Sequence, residues 1–233
     1  MSIDGSIPIT HDACRGEGNF IRAIEGIKSL QKHNVPVTVR VTIHKHNVRD
    51  LENVARLLLE DIGLPGFSTN AALYMGLCRQ NEDHVQLTVE ERSIAMESLL
   101  NLNKRYDGRI SANAGPLANA RQWIRMEKAL REGKESLPGR GSLTACGCVL
   151  HKLAVRADGV IVPCIQLSHI EMGRVNKDDL EVVWQRHNEM NNLRDRRSIS
   201  LDDFEFCKEC KYVNYCTGNC PALAYTLVGE VNH

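Results

Sequence analysis

Two segments near the start of the chain show the periodicities of a helix and of a strand. Between residues 19 and 33, apolar residues recur at spacings of three and four, which is typical of one helical face. Apolar and polar residues then alternate over 35–44, which predicts a strand with one apolar face. A second helix is predicted from about Val48, with Asn47 as its N-cap and Gly63 at its end.

The middle of the chain continues this alternation of strands and helices. A short strand is expected within 67–74, and Thr88 with Glu91 forms a capping-box pattern that opens a helix to about Tyr106. Pro116 suits the first turn of a further helix. Such alternation predicts βα units around a parallel sheet, with a ligand site at the carboxyl ends of the strands.

The composition of the sequence changes at residues 133–141, GKESLPGRG, which are rich in glycine, proline and charged residues. We therefore predict two domains, 1–135 and 136–233, and a β-hairpin around Asp158-Gly159 in the second. Only about three βα units precede this boundary, and the sequence begins almost on a predicted turn. We expect the first domain to be truncated at its N-terminus, or to need a partner that closes its sheet.

Composition and charge exclude several classes of function. The 233 residues carry 29 basic and 29 acidic side chains with no basic block, so nucleic acid is not an expected partner. No apolar run reaches the length of a membrane span, and the N-terminus does not resemble a signal peptide. The chain is expected to be cytoplasmic, with no membrane partner.

Nine cysteines are many for a cytoplasmic chain, in which clustered thiols are more often metal ligands than disulfides. Cys207, Cys210, Cys216 and Cys220 form the pattern C-x2-C-x5-C-x3-C, and three more cysteines lie upstream around the predicted hairpin. Zinc and iron–sulfur clusters both accept four thiolates, so the spacing within one group does not choose between them. The seven cysteines are one short of two complete tetrathiolate sites.

The order of these cysteines, with Gly159 five residues before Cys164, resembles the SPASM domain, which holds two auxiliary 4Fe–4S clusters in radical S-adenosylmethionine enzymes. The final cysteine of the family pattern has no counterpart here. The resemblance implies that the first cluster is bound by Cys146, Cys164 and Cys220, with Cys148 as a candidate fourth ligand, and that the second is bound by Cys207, Cys210 and Cys216.

The N-terminal run is similar to the fourth strand and following helix of the partial barrel in the same family. The similarity lies in Ser2-Ile3-Asp4-Gly5, in His11-Asp12 and in the glycine-rich segment 15–20. The resemblance implies an α/β fold, in which the late strands of a partial (β/α) barrel precede a small α+β SPASM module. It also implies contacts from Ser2 and Asp4 to S-adenosylmethionine, and a cavity faced by Thr38, Arg40, Thr42 and His44.

Two departures from the family pattern bear on activity. The family's C-x3-C-x2-C loop, which holds the cluster that cleaves S-adenosylmethionine, has no counterpart in these 233 residues. We therefore expect that this chain alone does not cleave S-adenosylmethionine. Sulfatase-maturing relatives place an acidic residue after the second hairpin cysteine, whereas Ile165 follows Cys164 here, and this departure argues against sulfatase maturation.

The resemblance implies a maturase-like oxidoreductase that modifies a peptide or protein and receives electrons from a donor such as flavodoxin or ferredoxin. Two alternatives stay open: a zinc-stabilised binding module without catalysis, and a degenerate or split relative that only transfers electrons. Outside the cysteine module, Cys14 and Cys78 are interpreted as small buried hydrophobes. The His44 and His46 pair is interpreted as lumenal or surface polarity, not as a metal site.

Overall fold

The computed structural model describes residues 1–232, and the chain forms two compact units, Met1–Ile124 and Arg125–His233. The division falls inside one helix, about ten residues before the glycine-rich segment at which the sequence places the domain boundary. The domain ranges 1–135 and 136–233 stay a prediction. Each unit contains its own three-stranded sheet.

The N-terminal unit alternates strands and helices. Its strands are β1 (Val39–Ile43), β2 (Phe67–Ala71) and β3 (Ile110–Ala112). Its helices are α1 (Pro8–Arg15), α2 (Asn19–Lys32), α3 (Leu51–Arg56), α4 (Leu77–Gln80), α5 (Glu82–Val85), α6 (Val89–Arg105) and α7 (Pro116–Arg131), the last of which crosses the division.

The three strands are parallel and lie in the order β1-β2-β3. Val39 is paired with Phe67 and Phe67 with Ile110, so the carboxyl ends of β1 and β2 lie at the same edge. The N-terminal residues extend the sheet, because Ser2 forms a parallel bridge with Arg40. This is the parallel α/β arrangement that the alternation of elements predicts; closure into a partial barrel stays a prediction.

One apolar core covers the sheet. The inward side chains of β1 alternate with exposed or half-buried ones, as the period of two predicts. They pack against the apolar faces of the crossover helices, including Leu58, Leu99 and Leu117, all at most 1% exposed. The strand itself is shorter than predicted: Asn34 has a φ of 57°, and Val35 is 44% exposed, so pairing begins only at Val39.

The predicted helix boundaries are confirmed in most places. Thr88 and Glu91 form the capping box of α6, and Pro116 opens α7. The helix expected from about Val48 begins instead at Leu51 and continues as a π-helix over Leu57–Asp61. None of the helices within the described residues is long and apolar enough to cross a membrane.

The C-terminal unit consists of short elements joined by long loops. Its strands are β4 (Ala154–Val155), β5 (Val160–Val162) and β6 (Gly173–Arg174). Its helices are α8 (Cys148–His151), α9 (Leu180–Arg186), α10 (Asn188–Asp195), α11 (Glu205–Lys208) and α12 (Pro221–Val228). The predicted hairpin is present as the antiparallel pair β4-β5, and β6, which the sequence did not indicate, adds a third antiparallel strand.

Gly115 limits what the sheet edge tolerates. Its φ of 80° favours glycine, and a Cβ there would lie 2.7 Å from the backbone nitrogen of Ala71. We predict that Gly115→Ala lowers the free energy of unfolding by about 3 kcal/mol, from backbone strain plus overpacking. Gly108→Ala is the control, because Gly108 has a φ of 79° and no atom within 4 Å of such a Cβ. It should cost only about 1 kcal/mol in denaturant unfolding. Equal costs for the two variants would contradict the close approach.

Candidate cysteine centres and the cavity of the N-terminal unit

A cavity of about 580 Å³ opens at the carboxyl edge of the parallel sheet in the N-terminal unit. Of the four side chains predicted to face a cavity, Thr42 and His44 line it, whereas Thr38 and Arg40 are exposed and are not among the described lining residues. The remaining wall is built by Asp4, Ala13, Cys14, Arg15, His46, Ala72, Leu77, Cys78, Asn81, His84 and Val85.

Asp4 is a buried carboxylate, 1% exposed, and both of its oxygens are hydrogen-bonded. Oδ1 accepts from the backbone N–H of Thr42 at 2.7 Å, and Oδ2 accepts from Arg15 Nε at 2.6 Å. Such pairing is what allows a charge to remain buried. Asp4 therefore fastens α1 to β1, and it lines the cavity, whereas Ser2 is not among the described lining residues. Direct contact of Ser2 and Asp4 with S-adenosylmethionine stays a prediction.

Asn47 was predicted to be a helix N-cap, and this prediction was wrong. Its side chain is fully buried, donates to the backbone oxygens of Asp4 and Thr42, and accepts from the backbone N–H of His44. The helix begins four residues later, at Leu51, with Asp50 at the N-cap position. Asn47 thus ties the N-terminal strand segment to the end of β1.

His44 is held as a neutral imidazole. The ring is 2% exposed, and burial, its largest influence, lowers its pKa to about 4. Nδ1 accepts from the backbone N–H of His46, which leaves the proton on Nε2. Nε2 has no hydrogen-bond partner among the described residues, so the wall of the cavity contains an unsatisfied donor.

Cys14 and Cys78 were interpreted as buried hydrophobes, and the structure corrects this interpretation. Cys14 is exposed and Cys78 half-buried, and both line the cavity. The pKa of Cys14 is raised, first by desolvation and then by the negative charges of Asp4 and Cys78.

In the C-terminal unit, the first group of cysteines comes together from three separate loops. Cys146 and Cys148 are hydrogen-bonded through their side chains at the start of α8. Cys164, just after β5, is close enough for its charge to raise the pKa of Cys148. Cys220 interacts electrostatically with the guanidinium of Arg196, as Cys146 and Cys148 also do. Cys146, Cys148 and Cys164 are therefore neighbours, and Cys220 lies near the same arginine; that the four bind one cluster stays a prediction.

One member of this group is poised as a thiolate. The pKa of Cys146 is lowered to about 6, mainly by hydrogen bonds from the side chain and backbone of Cys148 and also by the charges of Lys152 and Arg196. The pKa of Cys148 is raised, first by sharing its proton with Cys146 and then by burial. Thiolates are the form that binds metal.

Backbone hydrogen bonds fix the loops that carry these cysteines. Gly141 donates to the carbonyl of Cys216 and Thr144 to that of Thr217, each at 2.9 Å. On its other side the same segment pairs with residues 199–201, through the bridge between Ser142 and Ser200. The approach to Cys146 is thereby held against the loop that leads to Cys220.

The second group contains the remaining three cysteines. The backbone N–H of Cys210 donates to the carbonyl of Cys207, closing the C-x2-C turn. Burial first, then the charges of Cys216 and Cys210, raise the pKa of Cys207, so the three thiols are neighbours. Cys216 Sγ accepts from the backbone N–H of Gly218 at 3.4 Å, an arrangement typical of metal-bound sulfur. Cys210 is exposed.

Two arginines that the sequence analysis missed lie beside the cysteine groups. Arg196 is 3% exposed, and its Nε has no partner among the described residues. Arg140 has a buried Nε without a partner there too, and the charge of Cys216 acts on it. The burial of Arg196 could have been predicted from the sequence. Met190 and Leu193, three residues apart, lie on the buried face of α10, and Arg196 follows at the same spacing.

The described residues contain no group of three or more His, Cys, Asp or Glu side chains placed to hold a single metal ion. The cysteines are associated as neighbouring thiols, with backbone N–H groups and guanidinium charges around them. An all-sulfur donor set of this kind is what an iron–sulfur cluster uses.

The buried state of His44 predicts a pH-dependent stability. An unfolded imidazole takes up a proton near its ordinary pKa of 6.5, whereas folded His44 does so only at about 4. Between these values the unfolded state binds more protons, so the stability that wild type owes to neutral His44 is lost as the pH falls. We predict that, between pH 7 and pH 4.5, wild type loses about 2 kcal/mol of unfolding free energy relative to His44→Gln. Urea unfolding of both proteins at the two pH values measures this difference. A difference independent of pH would contradict the burial of His44 as a neutral ring.

Comparison with known proteins places the cysteine-rich part in a described family. Residues 146–211 match the model of SPASM, an iron–sulfur cluster-binding domain. The match begins at Cys146 and extends to the residue after Cys210, so it contains five of the seven module cysteines.

Three curated relatives extend the similarity to the rest of the chain. Fe-coproporphyrin III synthase of Methanosarcina barkeri is 27% identical over 99% of this chain and 59% of its own length. PqqA peptide cyclase of Ruegeria pomeroyi is 21% identical over 99% of this chain and 57% of its own length. The sporulation killing factor maturation protein SkfB of Bacillus subtilis is 27% identical over 77% and 38%, respectively. The chain thus spans less than two thirds of the length of these relatives.

Solved structures share the fold at low sequence identity. Native anSMEcpe with bound AdoMet is 17% identical with a TM-score of 0.59, covering 95% of this chain and 58% of that one. The same protein with AdoMet and the Kp18Cys peptide gives 18% identity and a TM-score of 0.61, over 95% and 59%. The resemblance seen in the sequence is confirmed by the family match: residues 146–211 of the chain form a SPASM iron–sulfur cluster-binding domain.

Proposed function

We propose that this chain is the cluster-binding part of a radical S-adenosylmethionine enzyme that modifies a peptide or protein. The observation that carries the proposal is the match of residues 146–211 to an iron–sulfur cluster-binding domain, in a module that contains seven cysteines. A single structural zinc site needs only four ligands and leaves three of these thiols without a role.

The first 4Fe–4S cluster would be held by Cys146, Cys148, Cys164 and Cys220. In support, Cys146, Cys148 and Cys164 influence one another electrostatically, and Cys220 lies near the buried guanidinium that Cys146 and Cys148 also face. A cluster that is held by four thiolates in a partly buried site is expected to be the more stable of the two.

The second cluster would be held by Cys207, Cys210 and Cys216, which leaves one iron without a thiolate from this sequence. Cys210 is exposed, and the site lies at a turn with little burial of its own. We therefore expect it to lose iron more easily. When bound, clusters of this kind transfer electrons or anchor substrate; the residues of this chain set their position and surroundings.

In the N-terminal unit we propose that the parallel strands are the late strands of a partial barrel whose cavity receives S-adenosylmethionine and the substrate. The cavity lies at the carboxyl edge of the sheet, where parallel α/β folds bind ligands. Asp4, fixed by Arg15, would organise the S-adenosylmethionine side together with Ser2.

The substrate is proposed to be a peptide or protein, because two of the relatives are named as a peptide cyclase and as a killing-factor maturation protein. A small reductant protein such as flavodoxin or ferredoxin would supply electrons. We place the protein in the cytoplasm, where thiols stay reduced and available to metal.

Iron and sulfide content tests the assignment of ligands. After anaerobic reconstitution, wild type should contain one robust 4Fe–4S centre and a second at lower stoichiometry, because only the first has four thiolates. Cys164→Ala leaves the first cluster with three thiolates as well, so no robust centre should remain and up to about four further irons per chain should be lost to a chelator. Cys14→Ala, outside both groups, should retain the wild-type content.

Two results would overturn this assignment. Protein purified without oxygen that contains stoichiometric zinc and no acid-labile sulfide would establish the zinc module instead. Loss of the same amount of iron from Cys14→Ala as from Cys164→Ala would show that the thiols do not act in the groups proposed here.

Gly218 gives a second test, because it lies between Cys216 and Cys220 and so affects both groups. Its φ is 68°, and a Cβ would lie 2.6 Å from Leu143 Cδ2 and 3.0 Å from Leu201 Cδ2. Both leucines are buried, so the loop must shift. Gly218→Ala should reduce the iron bound to both centres and speed its loss to a chelator.

Gly229→Ala is the matched control for Gly218→Ala. Its φ is 79°, and a Cβ there meets no atom within 4 Å, so it carries the backbone strain without the clash. It should bind iron as wild type does. If both variants lose iron equally, the packing of the loop against the two leucines is not what positions the cysteines.

A further inference from the structure

Arg196 is a buried cation whose charged neighbours are thiols. It lies in a 3₁₀ turn, Arg196–Ser198, directly after α10, and is 3% exposed. Among the described residues it forms no salt bridge with a carboxylate, and the groups whose charge acts on it are Cys220, Cys146 and Cys148. An unpaired buried charge costs several kcal/mol, so a compensating negative charge is needed.

The hydrogen bonds of Arg196 are incomplete as well. One terminal nitrogen, Nη2, lies 3.5 Å from Asn219 Oδ1, at the edge of hydrogen-bonding distance. Nε is buried and has no partner in the part of the chain that the structure describes. A guanidinium has five N–H donors and no acceptor, so a partner must offer several acceptors or a diffuse negative charge.

The four thiols of the first group meet this requirement when they bind a cluster. A 4Fe–4S centre with four thiolates carries net negative charge, and its sulfurs accept hydrogen bonds that raise its reduction potential. Binding of the cluster therefore satisfies the ligands and the arginine together.

We propose that Arg196 is a positioning residue for the first auxiliary cluster: its buried charge compensates the cluster and holds the reduction potential up. This inference rests on the proposed function, because it requires that the first group holds an iron–sulfur cluster. Removing the positive charge makes it harder to add an electron, so the potential should fall.

The test compares three substitutions in the full chain. Each is made together with Cys207→Ser and Cys210→Ser, so that the first cluster alone is observed. Arg196→Met removes the charge while preserving most of the apolar bulk, and Arg196→Lys retains the charge. Arg197→Met is the matched control, because it removes the same charge from the next residue, which is exposed.

Potentials are measured by an electron paramagnetic resonance titration with dithionite. Arg196→Met should lower the equilibrium constant for one-electron reduction at least about tenfold, a fall of about 59 mV. Arg196→Lys should lie closer to the parent, and Arg197→Met should match it. If Arg196→Met folds, as judged by circular dichroism, but fails to assemble the cluster that Arg196→Lys does assemble, the charge is needed for assembly, which supports the proposal.

The failures of the two proposals are distinct. A parent protein without iron and sulfide would contradict the proposed function itself. A loaded parent with Arg196→Met at an unchanged potential would overturn the role of Arg196 alone. So would Arg196→Lys impaired as severely as Arg196→Met, because shape and not charge would then be what matters.

Discussion

The constraint on which the C-terminal unit depends is the mutual repulsion of thiolates placed side by side. Each ionised sulfur raises the pKa of its neighbours, as the charges of Cys146 and Cys164 do for Cys148. The chain relieves this repulsion in three ways: a shared proton between Cys146 and Cys148, a backbone N–H directed at Cys216, and the buried guanidinium of Arg196. A metal centre bound by these thiolates would remove the remaining repulsion and so couple metal binding to folding.

In the N-terminal unit, the buried carboxylate of Asp4 organises the structure around the cavity. Asp4 joins α1, β1 and the N-terminal strand segment through hydrogen bonds to Arg15 and Thr42, with Asn47 bonded to its backbone oxygen. The result is a rigid floor for the cavity, in which the neutral ring of His44 keeps an unsatisfied donor. Polar groups that are already ordered in the folded protein are suited to ligand binding, because binding then does not have to order them.

Elements with strong periodicity or clear capping residues were predictable from the sequence. Where the structure differs from the prediction, tertiary contacts account for the difference. The alternation of β1, the capping box of Thr88 and the hairpin around Asp158-Gly159 depend on local rules, and the structure has them. Asparagine is a common N-cap residue, but the side chain of Asn47 instead forms hydrogen bonds with the backbone of Asp4, 43 residues away, and of His44, three residues away. No local pattern contains that information.

The cysteines show the same division. Their spacing indicated a metal module and, through resemblance, a split into four and three. The structure has Cys146, Cys148 and Cys164 as neighbours and Cys220 near the same arginine, and the split itself stays a prediction. The environment of the cysteines was not predictable, because Arg196 and the 216–220 loop are distant in sequence and meet only in the fold, where Arg196 Nη2 lies 3.5 Å from Asn219 Oδ1. Arginine is usually exposed, so its presence on a buried helical face was the one signal in the sequence.

The most direct test of the split is brief oxidation of the reconstituted protein, followed by electron paramagnetic resonance. A cluster with one iron lacking a thiolate loses that iron first and gives a three-iron form. The account predicts one such form per chain in wild type. It should disappear in Cys210→Ser, whereas Cys146→Ser, which leaves the first cluster with three thiolates, should add a second. A three-iron form that persists unchanged in Cys210→Ser would contradict the account, because the incomplete cluster would then belong to the first group.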